Sequence, residues 1–258
     1  ARIQRLDGDD AVERLFGLNL LPGSQERFNA AVHISGQSVI IEVEPQRASN
    51  LSDYTSYVRP MIDRVRKARS VPELCKIAAR QMKALTGFDR VMVYRFGADQ
   101  SGEVIAEAVS PNIDSFLGLR YPATDIPQQA RELYRRNLLR IISNVNETVS
   151  PIIPERGPEG QPLDLSMSGL RAVSPIHIEY LKNMGVDASL SVSILHRDYL
   201  WGLFACHHHS PRYIEYERRT ALEMFAHMFS YELSRFEDQQ RKKVEDETSR
   251  LQTLLMGH

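Results

Sequence analysis

The stretch Tyr121-Pro-Ala-Thr-Asp-Ile-Pro-Gln-Gln-Ala-Arg-Glu-Leu-Tyr-Arg-Arg-Asn-Leu-Leu-Arg140 decides how the rest of the chain is read. Its first part cannot be helical. Pro122 and Pro127 lack an N–H and push the residue before each towards extended backbone, so Asp125 sits on a stiff turn. A helix is expected directly after it: Pro127 suits a first turn, Asp125 lies near the positive end, and Ala130, Leu133, Tyr134 and Leu138 recur at helical spacing. A carboxylate between prolines, followed by arginines along a helix, suits a large polar ligand that needs a fixed backbone and countercharge. Read alone, the same residues also describe a tight turn capped by Asp125.

Working outward, Ser70-Val-Pro-Glu73 has the form of a capping box and opens a helix that buries Leu74, Ile77, Ala78, Met82 and Leu85, with Gly87 as its stop. Cys75 beside that stripe reads as a small core residue. Tyr54 to Arg69 is helical in pattern. Val91 to Phe96 and Glu103 to Val109 read as an antiparallel pair across Gly97 to Gly102, and Ser189 to Leu195 and Leu200 to His208 as a second hairpin across His196 to Tyr199. Between them, Asn144 to Leu170 holds four prolines and three glycines without periodicity, a long loop of the kind that usually serves function.

Nearer the start, Ala1 to Leu6 reads as the tail of a helix, Val39 to Glu44 as a strand with Val39, Ile41 and Val43 on one face, and Pro45 to Asp53 as a polar connector. From Glu217 a long helix is expected, with Leu222, Phe225, Met228, Phe229 and Leu233 on one stripe and Val244, Leu251, Leu254 and Leu255 on a sparser one. The preferred reading is homodimerisation through this helix; burial against the chain's own sheet is the alternative.

Composition narrows the classes. The chain of 258 residues is 25% charged and 42% hydrophobic with net charge −1, so no positive excess is available for nucleic acid. Two cysteines, Cys75 and Cys206, imply no disulfide framework, and neither a signal peptide nor a long apolar span is visible, which fits a cytoplasmic protein without membrane association. Gly-x-Ser-x-Gly, P-loop and His-Glu-x-x-His motifs are absent, so an enzyme is disfavoured. On a strand, His207 and His209 point to one face and His208 to the other, which disfavours a three-histidine metal site.

Tyr121-Pro122, Asp125-Ile126-Pro127 and Gln129 through Tyr134 resemble the chromophore-binding signature of phytochromes, in particular bacteriophytochromes. Phe88 to Phe96, Leu170 to His177, Tyr180 to Val186 and Leu200 to His208 look like further blocks of that family, in the same order, and the resemblance runs from about Gly36 to the end. It implies an α+β fold: a GAF domain with a central antiparallel sheet flanked by helices over 54–236, preceded by a partial PAS domain and connector over 1–53. A C-terminal helical linker over 237–258 would lead towards a PHY or output domain. It also implies a red/far-red photoreceptor module holding biliverdin, with no catalytic residues and no metal.

By the same resemblance, the Asp125 carbonyl accepts from the inner pyrroles, within the Asp125-Ile126-Pro127 turn. Arg140 and Arg171 pair with the propionates, helped by Ser174, Ser189, Ser191 and Tyr134. His177 shares a water with the ring system, His207 bonds the terminal ring, and Tyr94, Tyr121 and Tyr180 line the space in which that ring turns. The family's attachment cysteine has no counterpart: the plant-type position is Ile178, and the bacterial one precedes the start of this chain. Either an upstream segment carries it, which is the preferred reading, or the pigment binds without a covalent link. A cyclic-nucleotide-like GAF regulator and an engineered near-infrared fluorescent fragment are the other readings, since fold alone does not separate them.

Overall fold

The computed structural model describes residues 11–46, 54–157 and 160–256; the expected helix tail at Ala1 to Leu6 and most of the connector before Asp53 lie outside them. Two antiparallel sheets organise the chain. The smaller holds β1 (Val12–Leu18), β2 (Phe28–Ser35) and β3 (Ser38–Pro45), in that order. The larger has six strands in the order β6-β5-β4-β9-β8-β7: β4 (Arg90–Phe96), β5 (Gly102–Val109), β6 (Arg120–Tyr121), β7 (Leu139–Ile142), β8 (Ala188–His196) and β9 (Tyr199–His208).

One face of the six-stranded sheet carries α1 (Tyr54–Val65), α2 (Val71–Thr86) and the first half of α5 (Tyr216–Met256). Val91, Val93, Leu190, Val192, Phe204 and Cys206 from the strands meet Leu74, Ala78, Met82, Leu222, Phe225, Phe229 and Leu233 from the helices in one buried core. The period-2 alternation of β4, β8 and β9 sends every second side chain to this core and leaves the others to the opposite face. That opposite face is covered by α3 (Gln128–Arg136) and α4 (Pro175–Asn183), and between them and the sheet lies a cavity.

Local signals explain the element ends. Ser70 accepts the amide of Glu73 and the Glu73 carboxylate takes the amide of Arg69, so α2 starts there, and it stops at Gly87 with φ of +65°. The helix expected up to Arg69 ends at Val65 and carries Pro60 inside. The β8–β9 turn is tighter than expected: His196 and Tyr199 are strand residues, and Arg197 and Asp198, both at positive φ, form the two-residue turn.

Two sequence expectations need correction. The signature helix stops at Arg136 and Asn137 takes extended backbone, so Leu138 is not on a helix and Arg140 stands on strand β7. Leu-Arg-Ile-Ile at 139–142 pairs with Val192 to Ser189, and burying Leu139 and Ile141 in the core outweighs another helical turn. The first stripe of α5 is buried against the chain's own sheet and helices, as the alternative reading had it, with Met228 only half-buried; the helix is exposed at every position from Gln239 to Arg250.

Candidate functional site

Strand alternation brings the polar side chains together. Because Leu139 and Ile141 enter the core, Arg140 faces the cavity, opposite Ser191; Ser191 lies opposite Ala205, Ser189 opposite His207, and His207 opposite Arg90. The cavity has a volume of about 640 Å³. All fourteen residues singled out from the sequence line it: Tyr94, Tyr121, Asp125, Ile126, Pro127, Tyr134, Arg140, Arg171, Ser174, His177, Tyr180, Ser189, Ser191 and His207. Much of the apolar lining was not singled out from the sequence: Met92, Val104, Leu203 and Ala205 could have been found from the alternate-residue spacing of the strands, and Leu133 from the helical spacing of α3.

The turn ahead of α3 is closed by the Asp125 amide on the Pro122 carbonyl at 3.1 Å, and Arg131 reaches back to the Ile126 carbonyl at 2.8 Å. Asp125 itself is exposed at the rim of the cavity, near enough to Tyr94, Tyr121 and Tyr180 for its charge to add to burial in raising their phenol pKa values. Arg171 is fixed from behind by the Ser166 and Ser168 carbonyls, each at 2.9 Å from its Nη1. Arg140 gives Nη2 to the Ala172 carbonyl at 2.8 Å, whereas its Nη1 is buried and has no partner among the described residues. Burial and the neighbouring Arg171 pull the Arg140 pKa down to about 10. Glu42 acts on both cations and Asp164 on Arg171, yet no ion pair joins either arginine among the described residues, so a bound anion would stabilise them.

The other end is neutral and aromatic. His207 is buried, its Nδ1 has no partner among the described residues, and burial, helped by the cation of Arg90, drops its pKa to about 3, so the imidazole is uncharged near neutral pH. His177 is also shifted down, by burial and by Arg140, and its ring lies nearly parallel to that of Tyr180 with centroids 6.2 Å apart. Burial raises the phenols of Tyr94 and Tyr180 to about 12 each, so both stay protonated donors. Gly102 is required for this arrangement: a Cβ there would fall 1.7 Å from the Tyr94 hydroxyl end, so only a residue without a side chain lets the ring lie over β5.

The histidine run differs from a simple alternation. His207 enters the cavity, while His208 and His209 both turn to Asp89, with Nδ1 to carboxylate distances of 2.8 and 3.1 Å, because the strand ends at His208. Among the described residues no group of three His, Cys, Asp or Glu side chains is placed to hold a metal ion. Nor is any of their helices long and apolar enough to cross a membrane.

A GAF domain model matches residues 70–233. Cyanobacterial phytochrome B of Nostoc sp. is 47% identical over 82% of this chain and 29% of its own length, and a bacteriophytochrome of Xanthomonas campestris 41% identical over 84% and 34%. The chain thus spans about a third of the length of these relatives. Among solved structures, the chromophore-binding domain of an unusual bacteriophytochrome from R. palustris superposes with a TM-score of 0.79 at 41% identity, covering 83% of this chain and 71% of that one. The match takes in the six-stranded sheet and the cavity described above, and the chain accordingly belongs to the GAF domain family, as a homologue of bacteriophytochromes and phytochromes over most of its length.

Proposed function

We propose that this chain is a red/far-red photosensory module whose cavity holds a linear tetrapyrrole, biliverdin. The observation that carries the reading is the polarity of the cavity: a cationic end with a buried, unpartnered guanidinium nitrogen on Arg140, and a neutral end with an unpartnered imidazole nitrogen on His207. An open-chain bilin matches this division: the two propionates of its inner rings would face the cationic side, and the lactam carbonyl of its terminal D ring the neutral end. When bound, it would supply absorption of red light and rotation about its C15=C16 double bond.

The chain's own groups would then divide the work. Arg140 and Arg171 bind the propionates, where a guanidinium offers a pair of N–H donors to each carboxylate. Ser174, Ser189, Ser191 and the Tyr134 hydroxyl complete those bonds. The Asp125 carbonyl accepts from the pyrroles, with Ile126 and Pro127 as an apolar wall. His177, neutral at rest, holds a shared water and can take a proton. His207 donates to the terminal carbonyl, and Tyr94, Tyr121 and Tyr180 bound the space for rotation.

Neither thiol suits covalent attachment. Cys75 and Cys206 lie in the apolar core, and burial pushes Cys75 up to about 12 and Cys206 higher still, so neither is a ready nucleophile. Any thioether would therefore use a cysteine other than these two. We further propose that β1–β3 belong to a partial PAS domain. The exposed half of α5 would carry the signal to a PHY or output domain and pair with a second copy, in the cytoplasm.

The deciding experiment is an absorption spectrum of the protein with added biliverdin, before and after red light. A strong red band that changes on illumination is expected. A colourless protein would overturn the reading and favour a different small ligand on the same fold.

A further inference from the structure

We infer that Arg90, held by Glu107, is the positioning residue for the ring-rotation end of the cavity: it fastens the segment before β6 so that Phe116 backs the aromatic wall, and it sets the electrostatic surroundings of His207. The inference rests on the bilin reading but concerns residues outside the cavity lining. Arg90 opens β4 on the same sheet face as Met92 and Tyr94, directly opposite His207. Its side chain is 3% exposed. Three partners hold it: the Glu107 carboxylate at 3.0 Å, the Asp114 carbonyl in a short contact, and the face of Phe116 with Cζ 3.5 Å from the ring centroid.

Glu107 has further duties. It takes the Ser115 hydroxyl at 2.5 Å and the Phe116 amide at 3.1 Å, so the pair clamps three consecutive residues of one loop. Phe116 in turn packs in the cluster of Met92, Tyr94, Val104 and Leu203, with Tyr121 and Ile126 against it. All six line the cavity, and Tyr94 and Tyr121 are among the residues that bound the space for ring rotation in the reading above.

A buried ion pair is a poor way to gain stability alone, because desolvating both charges costs about as much as their attraction returns. What this one supplies is geometry. A planar fork bonded on one edge and stacked on a ring cannot be copied by lysine, which keeps the charge but loses both the fork and the stack. Its position beside His207 also favours the uncharged imidazole, as expected for a neighbouring cation.

The test is R90K in the full chain, read in two ways. In protein without pigment, exchange of the Phe116 amide should speed up on the order of tenfold, the effect of losing one charge-assisted anchor. With biliverdin, uptake should stay at the parent level while the red band broadens and shifts and thermal recovery after illumination changes on the order of tenfold. If R90K fails to fold, R90Q combined with E107Q leaves no lone buried charge and should alter the same two readouts. A variant with a lower melting temperature but the parent band, recovery rate and Phe116 exchange would overturn the inference, leaving Arg90 a stabilising residue only. Absence of pigment uptake by the parent protein would instead sink the bilin reading, and the exchange experiment would still decide whether Arg90 anchors the loop.

Discussion

The two sheets solve the same problem in opposite ways. The six-stranded sheet turns its apolar face inward to α1, α2 and α5 and keeps a mixed face for the cavity. In the three-stranded sheet, the face towards the rest of the chain is polar. Arg14 pairs with Glu223, Asn29 donates to Glu217 at 2.7 Å, and Glu44 holds Arg219 and accepts the Tyr213 hydroxyl at 2.7 Å. The apolar stripe of β3 looks outward, with Val39, Ile41 and Val43 51%, 56% and 41% exposed, while Ala30, Ala31 and Val32 of the central strand are buried. The first sheet is thus held by burial, which tolerates sliding, and the second by paired charges, which fix one docking geometry. That distinction matters for the cavity, because Glu42 of β3 accepts the amides of Gly169 and Leu170 at 2.9 and 2.7 Å, just ahead of Arg171.

The sharpest way to break the contrast is to empty the apolar side. Phe229 is fully buried and meets Phe204 edge-on at 5.0 Å between centroids. Phe229→Ala should cost about 3–5 kcal/mol in urea unfolding, the range for a large core truncation. A cost under about 1 kcal/mol would mean that α5 is not part of the folding core.

Next in size is the ionic side. Arg219→Met leaves the Glu44 carboxylate buried with only the Tyr213 hydroxyl, and should cost about 3 kcal/mol, whereas adding Glu44→Leu should restore most of it. If the double variant were as unstable as the single one, the attachment would depend on packing rather than charge.

Acid should probe both regions, with a known sign. His207 has a folded pKa of about 3 against an ordinary value of 6.5, so the unfolded chain binds the extra proton. The stability it contributes is complete above pH 6.5 and is lost as pH falls from 6.5 towards 3, at up to about 1.4 kcal/mol per pH unit. His33, His177 and His208 shift the same way, each chiefly through burial. Urea midpoints at several pH values should show a shallower decline in His207→Gln. An unchanged slope would mean that the imidazole is not buried neutral.

Much of this was legible in the residues because local chemistry and global fold agree there. Ser70 and Gly87 mark α2, Pro122 and Pro127 stiffen the turn, and the four main strands carry their period. The resemblance gathered fourteen positions that the fold does bring to one cavity. Leu133, Tyr134 and Leu138 fit a helical period that would carry the helix up to Arg140, and only pairing with β8 decides for a strand there. The orientation of β3 was equally hidden: Val39, Ile41 and Val43 predict one face but not whether it points inward, since that depends on Arg219 and Glu217, more than 170 residues away. Arg90 and Glu107, 17 residues apart, had no local signal, as each reads as an ordinary strand charge.

The smallest expected effect falls on that outward face. Ile41→Thr removes an apolar group already 56% exposed on a strand whose ladder with β2 needs only the backbone, and threonine keeps the β-branched shape. The unfolding free energy should move by less than about 0.5 kcal/mol, against several for Phe229→Ala. Calorimetry of both variants side by side would settle the contrast. If Ile41→Thr instead cost about 2 kcal/mol or more, the face would have to be buried in solution, and the inverted polarity of the small sheet would no longer distinguish it from the large one.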